Sequence, residues 1–250
     1  MARFDLLVAE LFRPGRLYTF TGAGGKSTAL RVIARALAGK GIRSGMTTTT
    51  RIGMEEFAGF PVFLAETADG AADALGGARP VCLVVSAAIP GQNKYKGLEA
   101  SVFDSVRVEN DMVVLVEGDG SRRKPLKVPT EREPVIPAAS NAVLAVMGAA
   151  GFGERVDQAH CYNHEAAAGI LAPGTETFDA AALAALATHP AGCRKGVRPE
   201  MEYHVLLNQG DLDQKRPIGL QVFEVLARTP GIHVTLLSLQ QEVVYETTEL

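Results

Sequence analysis

Phe20-Thr21-Gly22-Ala23-Gly24-Gly25-Lys26-Ser27-Thr28 is the stretch on which the rest of the chain turns. Residues 16–21 before it alternate and branch like a β-strand, and residues 29–38 after it carry apolar positions at helical spacing. The glycines therefore sit in a strand-to-helix turn, the layout of a phosphate-binding loop. Glycine lets the backbone curl until successive N–H groups face an anion, and the helix N-terminus adds its positive dipole end. In such a loop Lys26 reaches the β- and γ-phosphates and the Ser27 hydroxyl faces Mg²⁺. Gly22, Ala23, Gly24, Gly25, Lys26, Ser27 and Thr28 are accordingly the expected nucleotide-binding residues.

The common G-x-x-x-x-G-K spacing would place glycine at position 20, where the chain has Phe20. The loop is the shorter G-x-x-G-K-[ST]-[ST] type seen in Mur-type ligases, which leaves the ATPase subclass open. A second signal is Met112-Val113-Val114-Leu115-Val116-Glu117-Gly118-Asp119-Gly120-Ser121, an apolar strand running into acid as a Walker B strand does. On a continued strand Glu117 and Asp119 would face one side, with Asp119 on the metal; a solvated acid pair at a strand end is the alternative. Arg122, Arg123, Lys124 and Lys127 follow, stiffened by Pro125 and Pro129. They form either an anion-binding wall for triphosphate or acidic substrate, or a basic surface loop balanced by its own glutamates. Thr47 to Thr50 end another predicted strand, their hydroxyls either ligating Mg²⁺ through Thr48 or bonding locally. Asn208 and Asp211 close a later strand at the spacing of a guanine-reading Asn-Lys-x-Asp motif, with Gln209 in place of the lysine.

Around these signals, apolar runs alternate with amphipathic stretches, as expected where strands are covered on both faces. The fold class read from this is α/β, a P-loop NTPase-like three-layer sandwich with a mostly parallel sheet. It is expected as a single domain over residues 1–250, with an alanine-rich helical insert at 151–201 carrying helices near 165–171 and 179–187. The polar loop 91–97 reads as either a mobile substrate loop or plain surface. At 250 residues and 47% hydrophobic content the chain can bury a sizeable core, and its net charge of −3 offers no footprint for nucleic acid. Three cysteines at irregular spacing argue against a disulfide framework and for a reducing, cytoplasmic setting. The first eleven residues, broken by Asp5 and Glu10, do not read as a signal peptide, and no apolar run is long enough to span a membrane. His160-Cys161-x-x-His164 lacks a fourth ligand at finger-like spacing and reads as histidines at helix ends.

Taken together, Thr21-Gly-Ala-Gly-Gly-Lys-Ser-Thr, Thr47-Thr-Thr-Thr, Val116-Glu-Gly-Asp-Gly-Ser-Arg with Pro125-Leu-Lys and Glu133-Pro-Val-Ile-Pro, and Leu207-Asn-Gln-Gly-Asp resemble the YqeC-type family of selenium-dependent hydroxylase accessory proteins, also described as selenium-cofactor biosynthesis proteins. Departures are Arg123-Lys124, where the family pattern has Gly-Leu, and Gln209, where it has lysine. The resemblance implies a nucleotide-binding accessory factor, using ATP or GTP with Mg²⁺, that serves the maturation of selenium-containing molybdenum hydroxylases or their cofactor proteins. Lys26, Glu117, Asp119 and Arg122 are the expected catalytic residues; Ser27, Thr48 and Asp119 the expected metal ligands; Asn208 and Asp211 the expected base contacts. A small-molecule kinase or acyl-phosphate-forming ligase is the alternative, and neither reading places the chain on nucleic acid or a membrane.

Overall fold

The computed structural model describes residues 3–75, 81–104 and 106–249. The chain is a mixed α/β fold whose strands pair mostly in parallel. It divides into two compact units: Met1–Phe20, Ser27–Gly120 and Val135–Ala142 in the first, Thr21–Lys26, Ser121–Pro134 and Val143–Leu250 in the second.

The first unit opens with α1 (Arg3–Leu11), whose Phe4, Leu7, Val8 and Leu11 recur at helical spacing and are all buried. Then come β1 (Arg16–Gly22), α2 (Lys26–Gly39), β2 (Arg43–Thr48), β3 (Arg51–Gly53), β4 (Val62–Leu64), α3 (Ala68–Leu75), β5 (Val81–Val85), β6 (Ala87–Ala88), β7 (Lys94–Lys96) and β8 (Met112–Glu117). Strands β1, β8, β2, β5 and β4 lie side by side in that order, every pair parallel. Parallel strands carry covering elements on both faces, which is why these read as unbroken apolar runs. Leu17, Val114, Val116, Cys82 and Val84 bury one face against Phe103 and Leu98. Tyr18 and Phe20 take the other, with Phe12 at ring distances of 4.9 and 6.3 Å.

The insertion of β8 between β1 and β2 is what builds the edge used below. Its register pairs Glu117 with Phe20 on one side and with Thr48 on the other. The carboxyl end of β8 is thereby set beside the residue that leads into the glycine loop, at the edge where open parallel sheets take ligands.

Two readings of this unit change. The strand expected through Thr50 ends at Thr48, and the loop expected at 91–97 holds β7, the middle strand of an antiparallel β3-β7-β6 sheet. Tyr95 pairs with both Ile52 and Ala88. Gly97 then lies so close to the Thr48 and Thr50 carbonyls that a Cβ there would fall 2.2 and 2.6 Å from them. Alternating lysines around one aromatic hide a short strand that pairs with its hairpin neighbour and with a segment some forty residues upstream.

The second unit contains β9 (Leu126–Lys127), β10 (Ala142–Gly148), β11 (Cys161–Tyr162), α4 (Ala180–Thr188), β12 (Glu202–Asn208), α5 (Arg216–Ala227), β13 (His233–Ser238) and β14 (Val243–Thr247). Strand β10 neighbours β12, β12 pairs in parallel with β13, and β14 returns antiparallel along the edge. That last strand was not expected, although Val243-Val244-Tyr245 has the branched and aromatic composition of one. Residues 151–201 contain one α-helix, α4, capped by the Asp179 carboxylate accepting from the Ala182 N–H at 2.8 Å. Where a helix was expected near 165–171, a 3₁₀ segment runs from His164 to Gly169 instead, cut short by Gly169 and the Pro173-Gly174 pair.

Lys215, just before α5, holds the irregular stretch in place by donating to the Phe152 carbonyl at 2.9 Å and to the Glu154 carboxylate. The hydrogen bond from Lys215 holds the Glu154 carboxyl below the usual glutamate range. A depressed carboxyl stabilises the folded state above its ordinary pKa, and this contribution is lost as pH falls through the depressed value. Glu154→Gln is therefore expected to lower stability at neutral pH and to flatten the acid limb of the stability curve, as read by urea unfolding between pH 3 and 7. An unchanged acid limb would show that the pair contributes nothing.

Among the described residues no helix is long and apolar enough to cross a membrane. Cys82, Cys161 and Cys193 are buried, and burial pushes the Cys161 thiol up to about 12.

Candidate functional site

Within the second unit, the glycine loop packs Gly22 and Gly24 against main chain and Gly25 against the Asn208 side chain. Gly22, Gly24 and Gly25 have φ of +88°, +83° and +131°, a region that L side chains rarely adopt. Space forbids a side chain as firmly as the torsion does. A Cβ at Gly22 would meet the Val146 carbonyl at 2.4 Å, one at Gly24 the Gly148 Cα at 2.3 Å and the Pro125 carbonyl at 2.8 Å, and one at Gly25 the Asn208 amide nitrogen at 2.3 Å. The Ala23 N–H donates to Val146 at 2.9 Å, so β10 fixes the start of the curl. Lys26 is buried, and its ammonium donates to the Gly22 carbonyl at 2.6 Å, folding the cation back across the loop.

Asn208, at the end of β12, supplies the loop's other anchor. Its amide nitrogen donates to the Gly24 carbonyl at 2.8 Å, while its carbonyl oxygen accepts from the Leu239 N–H at 3.0 Å. Next to it, Gln209 has φ +67° and accepts from the Ala150 N–H at 3.1 Å. Asp211 lies half-buried in the turn that follows. Asn208→Ala would strip a half-buried carbonyl and a buried N–H of their partner, an expected loss of about 2 kcal/mol in urea unfolding. A variant as stable as the parent would remove Asn208 from its role as the anchor.

Within the first unit, the Ser27 hydroxyl at the head of α2 donates to the Glu117 carboxylate at 2.9 Å. The Thr48 hydroxyl donates to the Glu117 main-chain carbonyl at 3.0 Å and accepts from the Thr50 N–H at 3.0 Å. Thr49 reaches the Glu117 and Val135 carbonyls at 3.4 and 3.3 Å, so these two threonines bond locally. The Thr47 hydroxyl is fully buried and has no hydrogen-bond partner among the described residues. Asp119 is also fully buried, but β8 ends at Glu117, so the pleat that would turn both acids to one side does not extend to Asp119. Gly118 continues as a loop, donating to Phe20 at 2.8 Å and accepting from Val135 at 2.9 Å.

A hydroxyl paired with a carboxylate is the hard oxygen donor set that Mg²⁺ takes together with phosphate oxygens. Ser27 with Glu117 fits that ion, whereas Thr48 already spends its oxygen on neighbours. Among the described residues no group of three or more His, Cys, Asp or Glu side chains could hold a metal alone, so an ion at Ser27 and Glu117 would need further oxygen ligands from water or a bound group. His160 belongs instead to a local pair, its Nδ1 2.9 Å from Asp157.

The basic segment in the second unit divides in two. Lys127 is buried and ion-paired to Glu133 at 2.6 Å, whereas Arg122 and Arg123 are exposed in left-handed backbone, φ +49° and +62°. The Arg122 guanidinium lies 5.1 Å from the Tyr162 ring centre. Neither the Asn208 anchor nor Tyr162 was anticipated: the first was read as a base contact, and nothing local marks the second.

The family model described as YqeC protein matches residues 18–165, which span the glycine loop, β8, the basic segment and β11. An Escherichia coli K12 protein described as uncharacterized protein YqeC is 36% identical over 180 residues, covering 70% of this chain and 69% of its own. By both matches, the chain belongs to the YqeC family.

Proposed function

We propose that the chain is a nucleotide-dependent accessory factor, an NTPase using ATP or GTP that assists maturation or cofactor insertion of selenium-dependent molybdenum hydroxylases. The P-loop NTPase-like three-layer architecture is part of the same reading. The observation that carries it is the loop itself: three glycines in conformations that L side chains rarely adopt, two packed on main chain and the third on the Asn208 side chain, with Lys26 and Ser27 opening a helix. The client comes from the resemblance to selenium-dependent hydroxylase accessory proteins; the cytoplasmic setting rests on the cysteine pattern, and the choice of no nucleic acid or membrane partner on the net charge of −3 and the lack of a long apolar run.

In this reading Gly22 to Thr28 bind the phosphates, and Lys26 neutralises charge on the transferred phosphoryl oxygens. Ser27 with Glu117, and Asp119 through water, would hold Mg²⁺, which offsets phosphate charge when bound. The Ser27–Glu117 contact favours Glu117 as the acid that joins Ser27 at the metal. Arg122 binds the transferred group or an acidic substrate. Asn208 is committed to the loop, so base choice would fall to Asp211.

The second reading, phosphoryl transfer to a small molecule by a kinase or acyl-phosphate-forming ligase, is favoured by the exposed arginine turn. Turnover assays with ATP and GTP and Mg²⁺, alone and with candidate acceptors, separate the two. Hydrolysis unaffected by any acceptor supports the first, acceptor-dependent turnover supports the second, and no nucleotide binding by calorimetry ends both. Equal affinity for ATP and GTP ends the guanine reading of Asp211.

A further inference from the structure

We propose that the turn at Arg122, Arg123 and Lys124, backed by Tyr162, is a second anion site. It takes a small molecule carrying phosphate or carboxylate groups, separate from the triphosphate held by the glycine loop. Residues 121–134 carry five cations against two acids, an excess of three in a chain whose net charge is −3. Their pairing is uneven. Lys127 is buried against Glu133 at 2.6 Å, while Arg122 and Arg123 keep their side chains at the surface.

The turn is also built, at a cost. Arg122, Arg123 and Asn163 are three of only five described non-glycine residues with positive φ, and two arginines in succession forgo the glycine that would relieve the strain. Parallel pairing of Tyr162 with Lys127 fixes the aromatic platform, and Asn163 ties it down by donating to the Val128 and Pro129 carbonyls at 3.3 and 3.1 Å. Arg122 and Lys127 lie over the same ring, at 5.1 and 5.3 Å. Stacking pre-orients a guanidinium for bidentate oxyanion binding and leaves its N–H edge available.

Position ties this turn to the loop within the same unit. The Pro125 carbonyl accepts from Gly148 at 2.9 Å and lies 2.8 Å from where a Gly24 Cβ would stand, so the cations begin one residue from the loop's wall. Naming the ligand a co-substrate rests on the nucleotide reading above; the anion site itself does not.

Arg122→Gly with Arg123→Gly tests it, since glycine removes both guanidiniums while accepting the left-handed backbone. The two substitutions are made in the full chain carrying Lys26→Ala, which weakens the loop's own phosphate binding. Calorimetric titration uses pyrophosphate and, in a separate arm, citrate. The expected result is pyrophosphate or citrate binding that survives Lys26→Ala and weakens about ten- to hundred-fold on adding the glycines, with the unfolding midpoint unchanged or raised. The arm with the larger loss identifies the oxyanion. Titrations that do not change on adding the glycines overturn the site, and so does complete loss of binding in Lys26→Ala alone, which would assign the arginines to the loop's own ligand. Failure of the nucleotide reading shows separately, as ATP affinity and turnover that ignore Lys26→Ala.

Discussion

Gly24→Ala is expected to destabilise the protein by about 3 kcal/mol or more and to abolish nucleotide binding, because two independent costs fall on one methyl group. The first is conformational: at φ +83° an L residue pays about 1–2 kcal/mol that glycine does not. The second is steric and larger. The new Cβ would stand 2.3 Å from the Gly148 Cα, 2.4 Å from its nitrogen and 2.8 Å from the Pro125 carbonyl, all main-chain atoms that no rotamer change can move. Relief requires the loop to leave β10 or the 125–148 contact to break, and either distorts the curl that would face phosphate. Gly174 separates the two costs, since it has φ +82° and no atom within 4 Å of an added Cβ. Gly174→Ala should lose only the conformational part, about 1 kcal/mol. If urea unfolding gives the two variants equal losses, close packing is not what makes Gly24 necessary.

The same contacts explain what could be read in advance and what could not. The loop was legible because its requirement is local: a glycine pattern between strand and helix states a backbone conformation whatever surrounds it. Strands β1, β8 and β12 were legible for a related reason, burial on both faces writing itself as an unbroken apolar run. Lys94-Tyr95-Lys96 was not, because its partners lie some forty residues upstream and a few residues before it, and nothing in three residues announces them. Asn208 shows a structural role that its motif does not announce. The Asn-x-x-Asp spacing suggested a base, whereas the side chain is spent between Gly24 and Leu239, residues far apart in the chain. The order of the two acids failed on a boundary: alternation predicts a shared face for Glu117 and Asp119 only while the strand continues, and it stops at Glu117.

Lys26→Ala should lower nucleotide turnover by about three orders of magnitude while affinity falls much less. The ammonium is buried and donates to the Gly22 carbonyl at 2.6 Å, so its charge is held inside the curl of the loop. A charge fixed in a partly desolvated site acts mainly where negative charge develops, and removing one such group typically costs about 10²–10³ in rate. Ground-state phosphate still has the loop's N–H groups, which is why binding should suffer less than turnover. Glu117→Gln provides the complementary measurement. It keeps a hydrogen-bond acceptor for Ser27 but removes the charge, so its loss should shift the Mg²⁺ dependence, whereas the Lys26→Ala defect should persist at saturating Mg²⁺. Asp119→Asn, if that acid acts through water, should show the weaker Mg²⁺ shift of the two. Steady-state rates across a Mg²⁺ titration decide the assignment: wild-type turnover in both Lys26→Ala and Glu117→Gln would place the chemistry elsewhere in the molecule.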